Sequence, residues 1–258
     1  MLVIDNGAFK SGSSWVYQII CRIKRFEAPP EKYLNPNWVH PSISPDKLKE
    51  ILENLDYSKQ DFLVKNHFNN KKDRDLILSY PDIKVVCIVR DIRDVVVSAY
   101  YHLLRKENLT SEELISFKAY YWKRGRLIAL NVLEYNNYWS INSENIYIAK
   151  YENLLENPSN EIKTISRFLL DRELSETKTQ SIITETNFVS MKQKRSDGFL
   201  RKGISGDHKN YFDSKMLEDI QKIENNKLIR YKIKSFKRMK SRLRSIYSKI
   251  NNSTLHLQ

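Results

Sequence analysis

Four short segments of the chain carry residue types suited to holding and moving an anionic group. The first is Lys10-Ser-Gly-Ser-Ser-Trp15, between a strand-like run and a periodic, helix-like stretch. A strand, a tight turn at Gly12 and a helix N-terminus present free backbone N–H groups at a positive dipole end, which accepts a phosphate without any side chain. Ser11, Ser13 and Ser14 add hydroxyls there, and Lys10 adds a full charge. The order is not that of a Walker loop, because the lysine precedes the turn. A Ser-rich N-cap opening an ordinary helix would read the same way. The second segment, Phe62-Leu-Val-Lys-Asn-His67, closes a buried-strand pattern with Lys65 and His67. In the third, Arg90-Asp-Ile-Arg-Asp-Val-Val-Val-Ser98, Arg90 falls at a strand's carboxyl end and Ser98 on the helix that follows. That edge is where open α/β sheets bind ligands. Arg93 and Asp94 are expected to make ordinary helix-surface contacts. The fourth segment, between Phe199 and Phe212, contains Arg201-Lys-Gly-Ile-Ser-Gly206. Such a loop can wrap a second phosphate, with Arg201 giving a bidentate contact.

The elements that must position these residues follow from the apolar pattern. Met1–Ile4, Phe62–Val64, Lys84–Val89 and Asn145–Ile148 read as buried parallel strands. Helices are predicted over Ser14–Phe26, Asp46–Asn54, Val95–Arg105, Ser111–Tyr138, Asn160–Leu170 and Lys215–Glu224. Strands alternating with helices predict an α/β fold, a single domain with a central parallel sheet flanked by helices and a P-loop-like first turn. With 6 Gly and 7 Pro in 258 residues there is little material for a flexible hinge. The Pro-rich excursion from Pro29 to Tyr57 is expected to help line a pocket through Tyr33, Trp38 and Tyr57, since long loops in compact domains are often functional.

Composition narrows the class. The chain is 41% hydrophobic and 11% aromatic, with a mean hydropathy of −0.57, which suits a soluble globular protein. No apolar run approaches the roughly 18 residues of a membrane span. The N-terminus enters a strand-like run without the regions of a signal peptide. Cys21 and Cys87 are too few for a disulfide framework or a thiolate zinc site, so a cytoplasmic location is expected. The net charge of +13 is unevenly placed: residues 227–258 hold ten basic residues and no acidic one. The first 226 residues, with 34 basic against 31 acidic side chains, carry only +3. The expected organisation is therefore a domain over 1–226 and a basic amphipathic C-terminal helical tail over 227–258. Ile229, Phe236, Leu243 and Ile250 recur every seven residues in that tail. It could lie on an anionic membrane surface through 227–250, or pack its stripe on the body or a second subunit. A nucleic-acid-binding protein acting through the tail would show steep salt dependence, and the near-neutral body argues against that reading.

Taken together and in order, the four segments resemble the cytosolic-type sulfotransferase family over about residues 1–224. Lys10–Trp15 is similar to its 5′-phosphosulfate loop, Arg90–Ser98 to its 3′-phosphate motif, and Arg201–Gly206 to its late Arg-Lys-Gly-x-x-Gly signature. Lys150-Tyr-Glu-Asn-Leu-Leu-Glu-Asn-Pro158 and Thr186-Asn-Phe188 fall where that family contacts adenine. The resemblance implies transfer of a sulfonate group from 3′-phosphoadenosine 5′-phosphosulfate (PAPS; product adenosine 3′,5′-bisphosphate, PAP) to a hydroxyl or amine of a small-molecule acceptor. It implies no metal and no specific nucleic-acid partner. His67 becomes the general base, Lys10 the group that meets charge on the leaving phosphate, and Lys65 a polarising cation at the sulfonate. Ser11, Gly12, Ser13 and Ser14 surround the 5′-phosphate. Arg90, Ser98, Arg201, Lys202 and Gly203 hold the 3′-phosphate. Trp15 and Phe188 sandwich the adenine, and Tyr151 and Thr186 reach its polar edge. The competing enzyme reading, a nucleotide kinase with a degenerate phosphate loop, lacks the Gly-Lys-[Ser/Thr] order. The chain also departs from the family pattern. Phe9 replaces proline, Ser13 and Ser14 replace threonines, His208 stands for a tryptophan, and Asp213-Ser214 break the family's dimer motif, leaving the oligomeric state open.

Overall fold

The computed structural model describes residues 1–193 and 200–225. The expected tail, 227–258, and the 226/227 boundary lie outside the described residues. Four strands, β1 (Leu2–Gly7), β2 (Phe62–Asn66), β3 (Ile83–Val89) and β4 (Ile146–Lys150), form a parallel sheet in the order β2-β1-β3-β4. All four match sequence-predicted strands, with one or both ends shifted by one to three residues.

Strands buried on both faces need apolar residues throughout rather than in alternation, and the two faces divide the core accordingly. Leu2, Ile4, Val85 and Cys87 pack on one side against α2 (Leu48–Asn54), α3 (Lys71–Leu78), α4 (Ile92–Arg105), α7 (Arg126–Trp139) and α12 (Ser214–Glu224). Val3, Leu63, Val86 and Ile88 pack on the other against α1 (Ser13–Ile23), α8 (Tyr151–Glu156), α9 (Pro158–Leu170) and α10 (Glu176–Thr186). Each fully buried aliphatic side chain contributes about 1.5–3 kcal/mol relative to exposure.

The strand order also fixes where a ligand can sit. The chain leaves β1 toward β2 on one flank and leaves β3 toward β4 on the other. The carboxyl ends of β1 and β3, paired in register at Gly7 and Ile88, therefore flank a crevice at a topological switch point. The turn carrying Lys10 leaves one lip and Arg90 the other.

Local chemistry explains the differences from the sequence-predicted elements. The single helix expected over Ser111–Tyr138 is interrupted. Helix α5 (Ser111–Ile115) ends where Ser116 takes an extended conformation and its hydroxyl caps α6 (Phe117–Tyr120) by accepting from the Ala119 amide. A π-helical turn, Tyr121–Gly125, joins α6 to α7. Serine competes for backbone donors in this way, which a periodicity argument does not see. Helix α3 is mostly charged, and α10 and α11 (Phe188–Gln193) show weak or short apolar periodicity. Side-chain caps nonetheless start two of them: Asn70 accepts from the Asp73 amide and Ser175 from the Lys178 amide. No helix among the described residues is long and apolar enough to cross a membrane.

Candidate functional site

A cavity of about 760 Å³ opens at the carboxyl edge of the sheet, over the switch point. Among the described residues lining it are seven Lys and Arg side chains and no Asp or Glu. Lys10, Gly12, Ser13, Ser14, Trp15, Lys65, His67, Arg90, Ser98, Tyr151, Thr186, Phe188, Arg201, Lys202 and Gly203 all line it. Segments some 190 residues apart thus converge on one space.

The first turn is held in an unusual conformation. Lys10 takes a φ of 63° and Gly12 a φ of 109°. A left-handed non-glycine residue costs of order 1–2 kcal/mol, and such residues cluster at ligand sites. A Cβ at Gly12 would come within 2.8 Å of the Tyr151 ring, so glycine is required for space as well as for φ. Helix α1 starts at Ser13, and its first amides precede any intrahelical partner. Ser11 departs from the expectation. Its amide and hydroxyl both turn back onto the Ala8 carbonyl at 3.1 and 2.7 Å, it is fully buried, and it does not line the cavity. It braces the turn instead of facing a ligand.

Lys65 and His67 reach the cavity from β2 and the residue just past its end. The Lys65 ammonium donates to Ser14 Oγ at 2.6 Å, tying β2 to the start of α1. The His67 ring is hydrogen-bonded at Nδ1 to the Gly7 carbonyl. A carbonyl only accepts, so Nδ1 carries the proton and Nε2 keeps a free lone pair. Burial pushes the His67 pKa down to about 4, with the Lys65 charge acting in the same direction, against the Gly7 bond. The imidazole is therefore neutral at ordinary pH, as a proton acceptor must be. Beside Lys65 in register on β1 lies Asp5, fully buried with neither carboxylate oxygen hydrogen-bonded. Burial raises its pKa to about 8, although the Lys65 charge pulls the other way.

The Pro-rich excursion covers this end of the cavity. Trp38 lines it, with its ring centroid 5.5 Å from that of His67. Tyr33 and Tyr57 do not line it; both pack against the core below. Asn66 anchors the excursion. Its side chain donates to the Ile43 carbonyl at 3.0 Å and accepts from the Ile43 amide at 3.1 Å.

At the opposite end, Arg90 lies over the Tyr151 ring at 4.0 Å and donates to the Ile204 carbonyl at 2.9 Å. The Arg201 guanidinium lies 4.5 Å over Tyr101 and pairs with Asp207, to which Lys202 also donates at 2.8 Å. Burial alone would raise the Asp207 carboxyl, but hydrogen bonds from Lys202, Arg201 and Asn210 hold it at about 2. Asp94, expected on the helix surface, is instead buried. It accepts from the amides of Gly206 and His208 at 2.7 and 2.9 Å and contacts His208 Nδ1 at 2.9 Å. This clamp pins the late loop onto the N-terminal turn of α4, and His208 serves it where a tryptophan was the family pattern. Arg93 pairs with Asp91, the N-cap of α4. Gly203, at a φ of 67°, lies against the Phe188 ring, which any Cβ there would overlap. Sequence reasoning missed Asp94, Asp207, Tyr101 and Asn66. The run Gly206-Asp-His208 was a signal for an anchored loop, whereas nothing in sequence pairs Asn66 with Ile43. Among the described residues no group of three or more His, Cys, Asp or Glu is placed to hold a metal.

Comparison with known proteins agrees with this geometry. A family model described as sulfotransferase domain matches residues 6–242. The 3-alpha-hydroxysteroid sulfotransferase of Cavia porcellus is 24% identical over 251 residues, 88% of this chain and 83% of that protein. The flavonol 4′-sulfotransferase of Flaveria chlorifolia is 28% identical, covering 85% of this chain and 76% of its own. Among solved structures, mouse sulfotransferase SULT7A1 complexed with PAP shares the fold at a TM-score of 0.66 and 20% identity, covering 88% of this chain and 84% of that one.

Proposed function

The chain belongs to the sulfotransferase family, and from that premise we propose that it moves a sulfonate group from PAPS to a hydroxyl or amine of a small-molecule acceptor. The observation that carries this reading is the single cavity in which a phosphate turn, a neutral histidine and a clamped basic loop meet without a lining carboxylate among the described residues. The residues suit the nucleotide. Arg90 Nε and Trp15 Nε1 are buried donors without a partner, and the glycine at 203 leaves the Phe188 ring room to present a face.

When bound, PAPS supplies an electrophilic sulfonate on a phosphate leaving group. The Gly12–Ser14 amides and the Ser14 hydroxyl hold its 5′ end, and Lys10 meets the charge that grows on the leaving phosphate oxygen. Lys65, already directed at Ser14, offers its ammonium to the sulfonate oxygens. His67 Nε2 takes the proton of the attacking acceptor, with Gly7 fixing the tautomer; such general-base help is typically worth about 10²–10⁴ in rate. Arg90, Ser98, Arg201 and Lys202 hold the 3′-phosphate, while Trp15, Phe188, Tyr151 and Thr186 enclose the adenine.

Thermal unfolding with PAP, ATP or 5′-AMP at matched concentration tests the reading. At a hundred times Kd, PAP should add about 2.7 kcal/mol of stability and the other two much less. Arg201→Ala should weaken PAP far more than 5′-AMP. Equal stabilisation by all three nucleotides would refute the proposal.

A further inference from the structure

Resting on that reading, we infer that Asn6 is a positioning residue for the proton-accepting histidine: its side-chain amide clasps both backbone groups of Phe68 and thereby aims the His67 ring. Alternation along β1 puts Leu2, Ile4 and Asn6 on one face of the sheet. Leu2 and Ile4 belong to the apolar core there, and Asn6 is equally buried. An amide side chain in such a place costs stability unless it is hydrogen-bonded. Asn6 is bonded at both ends, accepting from the Phe68 amide at 2.8 Å and donating to the Phe68 carbonyl at 3.3 Å. A primary amide has the donor and the acceptor of a peptide group, so Asn6 pairs with Phe68 much as a neighbouring strand would.

The clasp lies where the sheet stops holding the chain. The β1–β2 ladder ends at the Asn6–Asn66 pair, and His67 is the first residue past it. From there side chains replace the ladder. Asn66 grips Ile43 on the near side of His67. Asn6 grips Phe68 on the far side, where Trp139 Nε1 also donates to the Phe68 carbonyl at 2.7 Å. The ring itself is held by the carbonyl of Gly7, the residue after Asn6. Asn6 and Gly7, consecutive on β1, thus hold Phe68 and His67, consecutive beyond β2. Where the Phe68 backbone sits sets the reach from Nδ1 to Gly7, and that bond keeps the proton on Nδ1 and the lone pair on Nε2. Without the Asn6 amide, the Phe68 N–H loses its partner and the 67–68 peptide is free to shift. The ring can then leave Gly7 and take the other tautomer. A misplacement of about 1 Å is enough to cost about 10² in rate.

The test compares Asn6→Ala and Asn6→Asp with wild type at about pH 6, where His67 is neutral, with PAPS as donor and 4-nitrophenol as acceptor. Asn6→Ala should lose about tenfold or more in kcat, with the KM for PAPS and the PAP-induced thermal shift unchanged. A carboxyl at position 6, as fully buried as that of Asp5, keeps its proton under these conditions as Asp5 does. The groups facing it from β3 and α7, Cys87 and Tyr135, are uncharged there. Its C=O and O–H reproduce both bonds of the amide, so Asn6→Asp should stay within about threefold of wild type. Nitrogen-15 spectra of histidine-labelled protein read the same geometry without turnover. The His67 signals, identified by their absence from His67→Ala, should show one Nδ1–H tautomer in wild type and Asn6→Asp, and a mixture in Asn6→Ala. Asn6→Leu, which fills the same space without either bond, takes the place of Asn6→Ala if the latter does not fold. Wild-type kcat in Asn6→Ala, lost kcat with a single Nδ1–H tautomer, or an Asn6→Asp as slow as Asn6→Ala overturns the inference. Absence of any PAP response in wild type removes the sulfotransfer reading instead, and the tautomer comparison then decides the clasp by itself.

Discussion

Replacing Asp5 with asparagine should change how stability depends on pH, and the size follows from the site. Asp5 is fully buried on β1, and neither oxygen has a hydrogen-bond partner. Its pKa stands at about 8 against an ordinary 3.8. The folded protein therefore keeps a proton that the unfolded chain releases, and the associated stability is complete below about pH 4 and lost as pH rises toward about 8. At about 1.4 kcal/mol per pH unit the ceiling is roughly 6 kcal/mol. His67 acts with the opposite sign. Its pKa is lowered from 6.5 to about 4, so its contribution is present above the ordinary value and lost as pH falls. The two slopes cancel over most of the acid range in the wild-type curve, which hides both. The difference between Asp5→Asn and wild type removes His67, and the fixed cost of a buried amide is the same at every pH. Urea denaturation at pH 5, 6, 7 and 8 should show the variant gaining on wild type by about 1 kcal/mol per unit, or about 3 kcal/mol over the series. A difference that stays flat would mean that Asp5 is ionised throughout, with its charge compensated by Lys65, and would refute the reasoning.

Two further expectations come from the site itself. His67→Ala should keep the PAP-induced thermal shift while turnover falls by about 10² or more, and wild-type kcat/KM should stay flat down to pH 5.5 because the imidazole of the free enzyme titrates at about 4; loss of the thermal shift together with turnover would make His67 structural. Gly203→Ala forces both a left-handed alanine and a displaced Phe188 ring, so PAP affinity should drop by about tenfold or more, as expected for a strained position costing ~1–3 kcal/mol, and unchanged affinity by calorimetry would remove Phe188 from the nucleotide pocket.

The sheet was legible because buried parallel strands leave short continuous apolar runs, and all four were found at the right places. The cavity residues were legible for another reason: Lys10, His67, Arg90 and Arg201 each follow a strand or sit in a glycine-marked loop, where chemistry at the sheet edge must lie. What sequence could not supply was the support beneath them. Asp94 looks like any first-turn acid of a helix, and only the folded chain brings Gly206 and His208 back onto it. Ser11 has the same composition signal as Ser14, yet one hydroxyl braces the turn and the other meets Lys65. Tyr33, Trp38 and Tyr57 share a Pro-rich segment, and the bend at Ile43, fixed by Asn66, decides that only Trp38 faces the cavity.

The two ends of the cavity are built on different physical terms, and this bears on what each can recognise. At the end lined by Arg201 and Lys202, Asp207 at about 2 is charged at every working pH. Arg201 and Lys202 are thus already ordered, and Asp94 ties down the loop between them and α4. Preorganised charge of this kind loses little conformational freedom on binding and favours one phosphate geometry. At the His67 end the contacts are largely between rings, Phe9 with His102, and Trp38 and His40 of the Pro-rich excursion with His67 and Tyr17. Ring contacts worth about 0.5–1.5 kcal/mol each can be exchanged without disturbing the sheet. Exchanges among those rings therefore need not disturb the clamped loop at the other end.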